Sequence, residues 1–166
     1  MSKVLVVGLL SFFVLLPSSL FAQRPIDQLV AKYRQNPKTG MEIFELTNKT
    51  KDEAIDVLTK YHSLAPPTLT ADFYKKIVDH KYISCIGKEA SDFYDEVTAF
   101  FDKQEGYTSS RSRFGAMRSK GYTLITKDKV TGKTIKETNT VMLNPPEEGE
   151  PEYSYTAGIM TIITEE

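Results

Sequence analysis

Residues 121–143 read GYTLITKDKVTGKTIKETNTVML, and this stretch decides the fold. Tyr122, Leu124 and Thr126 alternate with Thr123, Ile125 and Lys127. Further on, Ile135, Glu137, Asn139 and Val141 alternate with Thr134, Lys136, Thr138 and Thr140. A period of two sends successive side chains to opposite faces of a strand, and β-branched residues suit such a pleated surface. Thr131-Gly132 separates the two runs, and glycine can take the positive φ that a hairpin turn needs. The spacing predicts a β-hairpin, Gly121 to Val130 against Lys133 to Leu143.

The rest of the chain is read outward from this hairpin. Asn144 to Pro151 is a loop of Pro, Gly and Glu, and Glu152 to Thr164 is a last strand with Tyr153, Tyr155, Ala157, Ile159, Thr161 and Ile163 on one face. On the other side, Tyr107 to Arg113 is a further strand. Strands that follow one another without helices imply an antiparallel meander. Ser91 to Gln104 is a helix: Ala90, Phe93, Tyr94, Val97, Phe100 and Phe101 form one stripe, while Asp92, Asp95, Glu96, Asp102 and Lys103 take the opposite face. An aromatic stripe at this spacing is a core-forming face.

Nearer the N terminus, Ile77 to Ile86 alternates as a strand after a helical turn. Thr50 to Tyr61 is a helix opened by the capping box Thr50-Lys51-Asp52-Glu53 and followed by the Pro66-Pro67 link. Met41 to Thr47 is a short strand or an irregular segment. Arg24 to Gln35 is a helix with Pro25 near its start and Ile26, Leu29, Val30 and Tyr33 on one face, halted by Asn36, Pro37 and Gly40. The expected class is α+β: about three helices packed on one face of an antiparallel sheet of about four strands, with a C-terminal β-meander.

Residues 1–22 differ from the remainder. Lys3 precedes the uncharged run Val4 to Leu16, Pro17-Ser18-Ser19 breaks it, and Leu20-Phe21-Ala22 offers a small residue at a cleavage edge. This is the layout of a secretory signal peptide, and the run is shorter than the ~20 apolar residues of a membrane-spanning helix. An uncleaved anchor is the competing reading. Cleavage after Ala22 leaves residues 23–166 as a single α+β domain with no membrane span, and loss of one lysine moves the formal charge from -1 to -2.

Composition narrows the function. A charged fraction of 26% is ordinary for a globular domain, and a net charge of -1 argues against a nucleic-acid binder, which is strongly basic. The single cysteine, Cys85, cannot form an intramolecular disulfide and reads as a small buried hydrophobe. His80 and Cys85 are five apart, so on one strand they face opposite sides, which is poor placement for a nucleophile and its base; His62 is the other histidine. No zinc, nucleotide or serine-hydrolase motif is present, so no catalytic, metal or cofactor residues are assigned and no cofactor is expected. Asn48-Lys49-Thr50 matches a glycosylation sequon, although Thr50 already has a capping role.

Charge is uneven within the β half. Gly106 to Thr123 holds Arg111, Arg113, Arg118 and Lys120 and no acid, whereas Asn144 to Tyr153 holds Glu147, Glu148, Glu150 and Glu152 and no base. Arg111, Arg113, Arg118, Lys120 and Tyr122 are therefore the candidate partner-binding residues, because guanidinium forks match carboxylate and phosphate geometry. The plainer reading, and the commoner one for charge runs, is a solvated loop or mutual neutralisation of the two segments.

The export signal ending in Leu20-Phe21-Ala22-Gln23, the helix Ile26 to Tyr33, and the helix Phe93 to Phe101 followed by Gly121 to Glu137 together resemble small exported hypothetical proteins of Bacteroidota. The resemblance implies an envelope domain of uncharacterised type and carries no catalytic residues. The expected function is that of an exported cell-envelope protein, a non-enzymatic binding or interaction module for an unidentified envelope protein or an anionic ligand. Its destination is the periplasm, the envelope or the medium. The alternative is a small exported hydrolase or enzyme inhibitor.

Overall fold

Two apolar stripes and six extended runs assemble around one buried layer in the computed structural model, which describes residues 23–45, 76–146, 149, 151 and 154–166. Helix α1 spans Pro25–Gln35, with Pro25 at its start and Ile26, Leu29, Val30 and Tyr33 buried. Strand β1 is Met41–Glu45 and β2 is Ile77–Ile86. Helix α2, Ala90–Phe101, buries Ala90, Phe93, Tyr94, Val97, Thr98 and Phe101. Strands β3 (Thr108–Phe114), β4 (Met117–Lys127), β5 (Thr134–Asn144) and β6 (Thr156–Glu165) follow in succession. No helix among the described residues is long and apolar enough to cross a membrane.

The strands form one antiparallel sheet in the order β1-β2-β6-β5-β4-β3. The hairpins β3-β4, β4-β5 and β5-β6 make the meander, and β6 then returns to pair with β2. Facing residues in register include Ile83 with Ile159 and Cys85 with Ala157 across β2-β6, and Val141 with Ile159 across β5-β6. Both described helices cover this same face, where Ile26, Leu29, Phe93 and Val97 meet Ile83, Val141, Leu143 and Ile159 in one core. Tyr33 packs on Phe93 with ring centroids 5.3 Å apart, and Phe101 stacks on Tyr122 at 5.1 Å and meets Tyr107 edge-on at 5.8 Å.

The count expected from the sequence, about three helices on about four strands, is overturned: the structure has two described helices on six strands. Strand β3 stands where Tyr107 to Arg113 reads as a strand and β1 where Met41 to Thr47 reads as a strand or an irregular segment; both join the sheet as its two edges, which raises the count. Every residue of β3 is exposed and β1 is at most half-buried, so neither shows the in-out alternation that marks a strand between neighbours. Strand β4 also starts at Met117 rather than Gly121, because residues 117–120 continue the backbone ladder with β3. The β4-β5 connection is longer than a tight Thr131-Gly132 turn. Asp128 closes it by accepting at Oδ1 from the amides of Val130 (2.8 Å) and Thr131 (2.6 Å), and Gly132 takes φ +72°. The expected helix Thr50 to Tyr61 with its capping box, the sequon, and residues 1–22 lie outside the described residues.

Polar side chains occupy part of the helix-covered face. The Tyr107 hydroxyl and the Asn139 amide each donate to Glu137 Oε1 at 2.7 Å, and Thr161 donates to Asn139 Oδ1 at 2.5 Å. Glu137, Asn139 and Thr161 are all buried. Beside them, Arg24 bonds Asp27 at 2.8 Å and Asp79 at 2.6 Å, while Lys81 bonds Asp27 and, at 2.9 Å, Glu45. Burial opposes ionisation of Asp27, yet the bonds from Arg24 and Lys81 hold its carboxyl below the ordinary value. These ions fasten the start of α1 to β2.

Gly40, between α1 and β1, has φ +69°, and a Cβ there would lie 2.3 Å from the carbonyl oxygen of Ile86. Gly132 has a similar φ, +72°, with nothing within 4 Å of its would-be Cβ. Gly132→Ala should therefore cost about 1–2 kcal/mol, the usual penalty for a left-handed alanine. Gly40→Ala should cost about 2–4 kcal/mol, because backbone must also move. Urea unfolding of the two variants checks this; equal losses would show that the Ile86 contact is not felt.

Candidate functional site

The β3-β4 hairpin carries its cations on one face because the antiparallel register places them there. Arg111 lies opposite Lys120, and Arg113 lies opposite Arg118. Odd-numbered positions of β3 therefore meet even-numbered positions of β4 on the face toward α2. Like charges directly opposite each other destabilise a strand pair by a few tenths of a kcal/mol or more. Here two such pairs are adjacent, so the hairpin holds a two-by-two grid of positive charge.

Helix α2 closes the grid into a cleft of about 440 Å³ lined by Tyr94, Thr98, Asp102, Arg111, Arg113, Arg118 and Lys120, with Ser112 and Ser119 at its border. Tyr94, Thr98 and Asp102 recur at intervals of four, one line along the helix and the turn that follows it. The Arg118 guanidinium sits 5.3 Å from the centre of the Tyr94 ring, a cation–π arrangement that leaves its edge free to bond. The Thr98 hydroxyl is engaged with the Tyr94 carbonyl at 2.9 Å.

Asp102 is the one acid of the cleft lining. Lys120 bonds its Oδ1, and the Tyr122 hydroxyl lies 3.0 Å from both that oxygen and the Thr98 carbonyl, so its single proton serves two acceptors. The bond from Lys120, then that from Tyr122, with the Arg111 charge nearby, holds the Asp102 carboxyl below its ordinary value. Burial, then the bond to Asp102, pushes the Tyr122 phenol above its ordinary range. The lining thus carries four cations and one carboxylate, and that carboxylate is committed to the buried Lys120.

The five residues singled out in the sequence have different places. Arg111, Arg113 and Arg118 are exposed on the cleft, and Lys120 is 6% exposed at its inner end. Tyr122 is 1% exposed; it props Asp102 and stacks on Phe101 rather than meeting solvent. Among the described residues Arg111 has no hydrogen-bond or ion-pair partner, and Arg113 donates from Nε to the Gly115 carbonyl at 3.2 Å. The acids Glu147, Glu148, Glu150 and Glu152, the proposed counterweight to these cations, lie outside the described residues. The sequence reading assigned Asp102 to the solvent face of α2. It is exposed, as expected, but sits one residue past the last helical position with Oδ1 turned to Lys120 and Tyr122 of the sheet, and its i+4 spacing from Thr98 is the signal that points to it.

Cys85 and His80, the nucleophile and base weighed in the sequence, lie on β2 away from this cleft. Cys85 is buried under the helices with Sγ 3.8 Å from the Thr39 carbonyl, and burial, with Glu89 adding, pushes its thiol up. The pairing register puts His80 on the opposite face of β2, as its five-residue separation from Cys85 implies. Among the described residues no group of three or more His, Cys, Asp or Glu side chains is placed to hold a metal ion.

Asp102 has a lowered folded-state pKa, so its contribution to stability is present above the ordinary carboxylate pKa and fades as pH falls through the lowered value. Lys120→Met should raise the Asp102 pKa toward the ordinary value near 4, read by carboxyl NMR titration. An unchanged titration would mean that Lys120 does not hold it. Asp102→Asn should destabilise the fold, because it leaves a buried ammonium without its counter-charge.

No family model, no curated protein and no solved structure matches this chain.

Proposed function

We propose that the chain is an exported, non-enzymatic binding module of the cell envelope whose basic cleft takes the anionic groups of a ligand or partner protein. The carrying observation is the cross-strand grid of Arg111, Arg113, Arg118 and Lys120 against a single, already paired carboxylate. Guanidinium groups held near one another repel, and an anion seated among them relieves that repulsion while accepting charge-assisted hydrogen bonds. The cleft is open, so the interaction is salt-screened: the Debye length is about 8 Å at physiological ionic strength. A modest, salt-dependent affinity for carboxylates or phosphates is the expected behaviour.

Export rests on the layout of residues 1–22, and placement among small envelope proteins of the Bacteroidota type rests on the resemblance given above. The mass of the protein recovered from the envelope or medium tests the first part; a chain beginning at Gln23 is expected, and a retained Met1 would leave the anchor reading in its place. The cleft is tested by calorimetric titration with inorganic phosphate and with citrate. Replacing both Arg111 and Arg113 by alanine should weaken binding about tenfold or more with little change in Tm, since each charge-assisted bond contributes about 1.5–3 kcal/mol and both side chains are exposed. Undiminished binding by the double variant would remove the cleft from consideration.

A further inference from the structure

The geometry points to strand addition: we propose that the free edge of β3 accepts an extended acidic segment of a partner protein as an added strand, its carboxylates at alternate positions meeting Arg111 and Arg113. The proposal rests on the anion-binding reading of the cleft and specifies the chemistry of the partner.

The first observation is the edge itself. Strand β3 ends the sheet, pairs with β4 alone among the described residues, and is exposed along all seven of its positions. An edge strand offers a row of backbone donors and acceptors, and extended peptides use such rows for affinity. The opposite edge is different: β1 has five residues, its side chains are largely half-buried, and Glu45 is held by Arg34 and Lys81. Strand β3 is also free of proline and glycine, so nothing in its own sequence interrupts a ladder.

The second observation is the spacing of charge. Arg111 and Arg113 are two positions apart, hence on the same face and about 7 Å from each other along the strand. An added strand presents its own side chains at the same repeat, so acids at alternate positions fall opposite the arginines, the arrangement that stabilises cross-strand pairs. Ser110, Ser112 and Phe114 face the other way, and Phe114 is 82% exposed. The matching segment therefore carries carboxylates on one face, and small residues ending in an apolar one on the other.

The same charges exclude the commonest hazard of a bare edge. A second copy pairing through β3 would bring arginine rows together, a like-charge contact that costs rather than stabilises. A lipid surface would satisfy the charges but has no use for the strand's backbone.

The exported protein is titrated with three capped peptides, followed by calorimetry and amide hydrogen exchange. One has glutamates at alternate positions, the second has the same composition with the glutamates contiguous, and the third is the alternating peptide N-methylated along one backbone edge. The alternating peptide should bind about tenfold tighter than either control and protect the amides of residues 108–114, and Arg111→Ala with Arg113→Ala should abolish that advantage. Equal binding of all three peptides removes strand addition and leaves the anion-binding reading standing. Absence of binding by every acidic probe, phosphate included, removes both. Binding to phosphatidylglycerol vesicles with no preference among the peptides assigns the hairpin to a membrane surface instead.

Discussion

Pairing of β6 with β2 is the constraint on which the rest of the molecule depends. The C-terminal meander is local: each of its hairpins joins neighbours in sequence. Strand β2 comes from the other half of the chain, and only its pairing with β6, through Ile83 with Ile159 and Cys85 with Ala157, puts both halves into one sheet. That junction lies under α2, whose Phe93 and Val97 are fully buried. Sheet continuity supplies a face wide enough for two helices, and the helices in turn exclude water from the seam. The cleft is a by-product of this arrangement: α2 runs across the middle of the sheet, and its last turn stops over the β3-β4 hairpin.

What the sequence made legible follows burial. The stripes of α1 and α2 and the alternation of β5 were readable because each sets buried positions against more open ones; β2 and β6 were readable from alternating residue types, although His80 and Ser84 on the second face of β2 are buried and no position of β6 is exposed. Even the polar inward positions, Asp79, Lys81, Glu137, Asn139 and Thr161, lie in the rows that alternation assigned together. The edges were not readable as sheet edges, since periodicity reports a change of environment along the chain and β3 has none. The start of β4 was hidden for a different reason: its inward row carries Arg118 and Lys120 where an apolar residue would mark a strand. Of the site, the cations were visible as a local excess, and the same-face placement of Arg111 and Arg113 followed from strand period. Their opposition to Arg118 and Lys120 depends on register, which local composition does not encode, and the part played by Asp102 depends on where α2 ends.

Near-neutral net charge is also uninformative about local fields. A chain with 21 basic and 22 acidic residues averages to nearly nothing. Within it, the ions on the helix-covered face are interlocked pairs: Arg24 with Asp27 and Asp79, and Lys81 with Asp27 and Glu45. The β3-β4 hairpin departs from that pattern by setting cation against cation. Charge in this molecule therefore has two arrangements, interlocked ion pairs on the helix-covered face and facing cations on the hairpin.

The buried chain from Tyr107 through Glu137 and Asn139 to Thr161 has a consequence for how the sheet keeps time with itself. Apolar rows tolerate sliding, since one isoleucine opposite another looks much like the next pair along. A two-residue shift of β5 against β6 keeps every side chain on its proper face, so hydrophobic patterning alone does not forbid it. In the native register Asn139 stands opposite Thr161; shifted either way it would stand opposite Ile159 or Ile163, and the buried Thr161 hydroxyl and Asn139 carbonyl oxygen would lose each other. Each such orphaned group costs about 1–3 kcal/mol. The polar chain thus acts as an index mark, converting a sheet that could settle at several alignments into one with a single zero point.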